Sequence, residues 1–263
     1  MPGNAFKAAI RNIRKGKIFS IINILGLAMG LSACILIALF VVDEFSYDQY
    51  NDKSDRIFRV VYDVHLNGNA FVGNYAPFPM GPTLVAEYPQ IEKAVRIRYE
   101  GDILVGKRDE KEIESNAVFA DSALFNVFSL PLIAGDPGKA LAAPYSMVVS
   151  ERIAKKYFNS TAVVGKTLVT YGHLTWRDMD TATYQITGVM KDIPAASHFH
   201  FDIIRSMAEK HPRPSVQWTG PYCATYLLAR PGVKAKDVDR MLGAASAKYI
   251  APQFARFVLY FMS

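Results

Sequence analysis

Twenty-five consecutive residues without a charge, 18–42 (IFSIINILGLAMGLSACILIALFVV), constrain this chain more than anything else in it. A helix of that length, at about 1.5 Å per residue, exceeds the roughly 30 Å hydrocarbon core of a bilayer. Lys7, Arg11, Arg14, Lys15 and Lys17 precede the run with no acid among them, and Asp43 and Glu44 follow it. The positive-inside rule then places the N-terminus in the cytoplasm and everything after Val42 outside. A cleaved signal peptide has a shorter apolar core and a small-residue cleavage site, whereas this run ends in Phe40-Val41-Val42-Asp43. Leu31-Ser32-Ala33-Cys34 has the form of a lipoprotein processing box, but eight more apolar residues follow Cys34. The reading is a membrane-spanning helix.

Two features qualify that helix. Gly26 and Gly30 form GxxxG, which lets a second helix approach closely, so they are candidate helix-packing residues. Phe6, Ile10 and Ile13 recur at helical spacing among the basic residues. Residues 1–17 therefore read as a basic amphipathic helix at the inner headgroup layer, where the five cations orient the chain against membrane lipid.

The net charge is +6, from 30 basic and 24 acidic residues. Setting aside the five N-terminal cations leaves 25 basic against 24 acidic, so the basic pI reports on the N-terminus. It does not indicate a nucleic-acid-binding face. With half of its residues hydrophobic, the remainder can bury a core of its own.

Beyond the span the pattern changes to alternation. Residues 56–66 read as a strand, then a short helix follows around Leu84, Val85 and Tyr88. Residues 94–99, 103–106 and 113–119 read as short strands with turns at Gly101-Asp102 and at 107–111. Asp121 is placed to cap a helix running to Phe128, and Gly135-Asp136-Pro137-Gly138 is a break. A strand at 146–149 runs into Ser150, a good N-cap for a helix over 151–158. Strands are expected at 167–171, 183–190 and 222–229, with a hairpin tip at 173–181. A helix over 233–250 should bury Val238, Met241, Leu242 and Ala245. The fold class is α+β: one N-terminal transmembrane helix followed by a mixed, strand-rich extracytoplasmic domain.

Catalytic and metal chemistry finds little support. Gly165-Lys166-Thr167 resembles the end of a phosphate-binding loop, but Ser160 stands where the first glycine belongs, and a helix precedes the triplet where a strand should. His198, His200 and Asp202 could approach one another on a strand, yet no HExxH or third-ligand spacing accompanies them, and a polar turn after Pro194 is the simpler reading. GxSxG and SxxK are absent. Cys34 lies in the span and Cys223 outside it, so they cannot pair, and Cys223 reads as a small buried residue. The chain is expected to be no enzyme and to hold no cofactor or metal.

The order of the pieces carries a resemblance. Asn12-Ile13-Arg14-Lys15 is followed by Ile24-Leu25-Gly26-Leu27-Ala28-Met29-Gly30, Phe45-Ser46-Tyr47-Asp48 and Asp55-Arg56-Ile57-Phe58-Arg59-Val60. Then come Phe125-Asn126-Val127-Phe128-Ser129-Leu130-Pro131-Leu132, Val148-Val149-Ser150-Glu151, Val164-Gly165-Lys166-Thr167-Leu168 and Ile186-Thr187-Gly188-Val189-Met190-Lys191-Asp192-Ile193-Pro194. This run resembles the N-terminal part of MacB/FtsX-like ABC transporter permeases, over nearly the whole chain and thinning after about Ala229.

The resemblance implies a βαβ-built porter-like part with an inserted sabre-like part at 46–263, behind a cytoplasmic segment 1–17 and a transmembrane helix 18–45. It implies a cell inner membrane location and a permease that transmits ATP-driven movement from a separate cytoplasmic ABC ATPase to the outer domain, for export or extraction of substrate. Partners would be that ATPase, a second permease copy or half, and a periplasmic protein. The family carries further membrane helices after the outer domain, while 257–262 are apolar but too short to span, so a fragment or a truncated gene is expected. The alternatives are a single-pass binding or sensory module and a membrane-anchored hydrolase.

Overall fold

The computed structural model describes residues 17–46, 51–66, 69–107, 110–173, 181–194, 197–208, 218, 220 and 222–252. The chain divides into two compact units, residues 1–48 and 49–263.

In the first unit, α1 (Lys17–Ser46) is one continuous helix. Its residues 18–42 carry no charge on any side, and Ile18 and residues 21–42 stand exposed. A helix apolar all round has no polar face to offer water.

The second unit is built on strands. A single turn of 3₁₀ helix (Ser54–Arg56) leads into β1 (Ile57–Arg59), followed by β2 (Tyr62–Leu66), β3 (Asn69–Gly73), α2 (Met80–Glu87), β4 (Ile91–Lys107), β5 (Glu110–Ala120) and α3 (Leu124–Val127). Then come β6 (Leu132–Gly135), β7 (Ser146–Ser150), α4 (Glu151–Phe158), β8 (Thr167–His173), β9 (Thr181–Met190), β10 (Ile203–Ser206), β11 (Ala224–Ala229) and α5 (Ala235–Ala245). A π-turn, Ser246–Ile250, continues α5. Nine strands form one mixed sheet, and β2 pairs with β3 in a separate hairpin.

The pairings of six strands close on themselves. β4 pairs with β5, β5 with β10, β10 with β7, β7 with β9, β9 with β8, and β8 returns to β4. Closure leaves no open edge in that part of the sheet, which removes a template for wrong pairing. The ring is possible because β4 and β9 are long enough to change neighbours along their length. The first half of β4 pairs with β11 and its second half with β8. Likewise β9 pairs first with β8, then with β6. Parallel pairing occurs between β7 and β9, which α4 and β8 separate in sequence, and between β5 and β10.

One apolar cluster draws on all six ring strands through Ile103, Val105, Ala117, Met147, Val149, Leu168, Tyr184, Ile186 and Ile203, and α4 adds Ile153 and Ala154. A second cluster gathers Phe128, Phe199, Phe201 and Tyr226 with Val148 and Ile204. Successive residues of β7 and β10 thus serve opposite faces, as the two-residue period of a strand requires. A third cluster joins α2, α5 and β11 through Leu84, Val238, Met241 and Leu227.

Several expectations need correction. The single strand over 56–66 is two, because β1 pairs with β11 while β2 turns away to β3. Both pieces are extended, so alternation alone cannot register the change of partner. The two strands at 94–99 and 103–106 are one, β4, and the turn at Gly101 is a bulge in which Gly101 takes φ +73°. A glycine accepts that left-handed conformation without a Cβ penalty. Asp121 does not cap α3 with its side chain. Arg96 holds that carboxylate through Nε and Nη2 at 2.8 and 2.7 Å, a paired geometry that outcompetes one backbone N–H. The helix over 233–250 is α5 plus the π-turn, with Val238, Met241 and Ala245 buried and Leu242 packed beside them. The strands β3, β6 and β10 were not expected. Ser150 does cap α4, accepting from the Ile153 amide at 3.3 Å, and Asn159 ends that helix in the left-handed conformation. The expected hairpin tip at 173–181 falls largely outside the described residues.

Candidate functional site

Ser20–Val42 within α1 is the one segment among the described residues long and apolar enough to cross a membrane. Its 23 residues span about 35 Å as a helix. Gly26 and Gly30 lie one turn apart on its surface, and a Cβ built at either meets nothing within 4 Å. The glycines thus leave a shallow stripe open to a neighbour. Lys7, Arg11, Arg14 and Lys15 fall outside the described residues, and Lys17 begins α1.

In the second unit the residues suspected of chemistry have structural partners. The side chain of His198 lies 3.1 Å from Tyr226 Oη through Nε2 and packs on Phe199, while His200 is exposed. Among the described residues no group of three or more His, Cys, Asp or Glu is arranged to hold a metal ion. Gly165 (φ +89°) turns the chain from α4 into β8. Its amide donates to Ile186 O at 2.7 Å and that of Lys166 to Val163 O at 3.0 Å, so both are already engaged within the fold. Burial pushes the Cys223 thiol up to about 11, which keeps it protonated and unreactive. Open grooves among the described residues include one of about 460 Å³ beside Tyr88, Val233 and Met241 and one of about 300 Å³ beside Asp136, Lys139 and Thr187.

Asp202 became instead a structural node. It accepts from Arg152 Nη2 at 2.6 Å, Asn116 Nδ2 at 2.8 Å and Ser150 Oγ at 3.0 Å, tying β5, β7 and α4 to the start of β10. Burial opposes its ionisation, but the bonds from Arg152, Asn116 and Ser150 outweigh burial and hold its pKa below the usual carboxylate value. A carboxyl depressed in the folded state stabilises the fold above its unfolded pKa of about 4 and loses that contribution as pH falls through the folded value. Asp202→Asn is therefore expected to lower the melting temperature at pH 7, with the gap from the parent closing as pH drops below about 4. A gap of constant size from pH 7 to pH 3 would show that the charge contributes nothing.

Three groups escaped the sequence. Glu114 is buried yet accepts from Lys156 and Tyr157 at 2.7 and 2.8 Å. Arg205 is buried against Glu100. Asn51 is buried and holds the amide of Ser129. A buried charge or amide leaves no periodic signal of its own, and its partner comes from a distant element.

In sequence, a long apolar helix is followed by a mixed α/β domain. The chain belongs to the MacB-like periplasmic core domain family, whose model matches residues 20–245. A domain from Porphyromonas gingivalis named as part of a permease protein has a similar fold, with a TM-score of 0.62 at 24% identity over 76% of this chain and 83% of that one. The periplasmic region of MacB from Actinobacillus actinomycetemcomitans aligns with a TM-score of 0.48 and 11% identity, over 74% of this chain and 84% of that one. The extracellular domain of the ABC-type transporter YknZ from Gram-positive bacteria aligns at 0.45 and 13% identity, over 70% and 86%. A search of curated proteins finds no match. The family match over residues 20–245 identifies the domain as a MacB-like periplasmic core domain of the ABC permease family.

Proposed function

We propose that this chain is a permease subunit, or a fragment of one, that carries movement from a cytoplasmic ABC ATPase to the outer domain for export or extraction of substrate. In this reading residues 1–17 lie at the cytoplasmic surface of the inner membrane, 18–45 span it and 46–263 stand outside. Lys7, Arg11, Arg14, Lys15 and Lys17 fix the orientation. Gly26 and Gly30 seat a further helix, from a second copy or half of the permease.

The observation that carries the reading is the extent of the family match. It begins at Ser20, inside the apolar helix, and runs to Ala245 in α5. Helix and domain are therefore matched as one unit, which supports a retained membrane helix over a removable signal.

The test is a pull-down of the locus-encoded protein, tagged in its own membranes and gently solubilised. A stoichiometric cytoplasmic ATPase is expected. Recovery of the chain without one would refute the transporter reading and favour a single-pass binding module.

A further inference from the structure

The chain enters the second unit through a set of bonds that no catalytic or ligand-binding role requires. Asn51 is buried, and its Oδ1 accepts the Ser129 amide at 3.0 Å. Ser129 Oγ accepts the Asp52 amide and donates to Asp52 Oδ2, both at 3.1 Å. Lys53 Nζ donates to Asn126 O at 2.7 Å. On the other side of the same segment, Arg56 Nη1 donates to Ala229 O at 3.0 Å, at the end of β11.

Asn126 lies in α3 and Ser129 two residues beyond its end, and between them Val127 and Phe128 are buried. The Phe128 ring meets Phe199 edge-on at 4.7 Å and Tyr226 at 5.1 Å. The partner of the clamp is thus fastened directly into the first apolar cluster. Only residues 47–50, with no glycine or proline, separate the end of α1 from Asn51.

We propose that Asn51, Asp52 and Lys53, held by Ser129 and Asn126, are the mechanical anchorage through which tension on the membrane helix enters the outer domain. The proposal deepens the permease reading above, because an anchorage matters to function only if the helix is driven. Four side-chain bonds across one short stretch must yield before strain on the chain reaches β1. Arg56, bonded to β11, takes what passes them. A pull on this segment is therefore spread over α3 and its aromatic anchor and does not peel the three-residue β1 from the sheet.

The experiment is single-molecule pulling on the full chain in detergent, between a handle on Asp48→Cys, in a Cys34→Ser background, and a C-terminal tag. Cys223 is buried, so the introduced thiol is the one that takes the handle. The double variant Asn51→Ala with Ser129→Ala removes three of the four bonds. The force of the first extension step is expected to fall by roughly half, because the bonds that resist it have largely gone. A merely structural role would shift the melting temperature and leave that force unchanged, and an unchanged force overturns the proposal. Should the double variant fail to fold, Lys53→Met removes the fourth bond alone and must lower the same force. The ATPase pull-down does not depend on this result, so each reading can fail without the other.

Discussion

Replacing Gly135 by alanine is expected to destabilise the outer domain by about 3 kcal/mol, which for a unit of this size lowers the melting temperature by roughly 6–12 °C. Gly135 closes β6 with φ +100°. A Cβ there would lie 2.5 Å from Thr187 O and 2.8 Å from Gly188 Cα, both backbone atoms of β9 that cannot swing aside. Two costs combine: the left-handed backbone that an L side chain resists, and the separation of β6 from β9 needed to admit a methyl group. Gly165 separates them. It too has positive φ, +89°, yet a Cβ there meets nothing within 4 Å. Gly165→Ala should cost only the conformational part, about 1 kcal/mol. If the two variants melt together, the close approach of β6 to β9 is not what selects glycine at Gly135.

Legibility from sequence followed how local each signal was. The uncharged run at 18–42 needs no partner to be recognised, and α1 follows it closely. Ser146 through Phe158 was readable because strand, cap and helix are adjacent: the Ser150 hydroxyl caps its own helix. The resemblance was readable because many spaced pieces agree in order, although no single one is diagnostic. By contrast, β10 (Ile203–Ser206) is four residues, all buried on both faces, so it shows no alternation. β6 (Leu132–Gly135) is just as short. Ring closure depends on β8 finding the second half of β4, a pairing set by distant register and announced by nothing local.

The candidate sites divided for the same reason. His198, His200 and Asp202 stood close together in sequence and invited a shared role, but the fold gives Asp202 to Arg152, Asn116 and Ser150, and His198 to Tyr226. The polar stretch around Asn51 carries no periodic pattern. What marks it in the structure is that an asparagine there is buried with its Oδ1 on the Ser129 amide, and burial of a single amide leaves no pattern in sequence.

Arg205 and Glu100 should respond unequally to substitution. Arg205 lies on β10 with its side chain 5% exposed, paired through Nη2 with Glu100 Oε2. Its guanidinium lies 4.1 Å from the Phe119 ring centre and 5.3 Å from that of Tyr184. Glu100 also holds Arg98 Nη2, at 2.7 Å, through its other oxygen. Arginine cannot shed its charge at any ordinary pH, so Glu100→Gln leaves a permanent cation in the sheet facing a neutral amide, at a cost of about 3–5 kcal/mol. Arg205→Met is milder, because the carboxylate it exposes keeps Arg98 and can take up a proton. The double variant should recover much of the loss of Glu100→Gln, since two apolar or neutral groups of similar volume replace a buried pair whose desolvation offsets most of its attraction. Thermal or denaturant unfolding of the four chains, parent included, gives the coupling directly. Equal costs for the two single variants would overturn the asymmetry argued from Arg98, and additive losses in the double would mean that the pair does not act as a unit and that the aromatic faces of Phe119 and Tyr184 suffice to hold Arg205 in the ring.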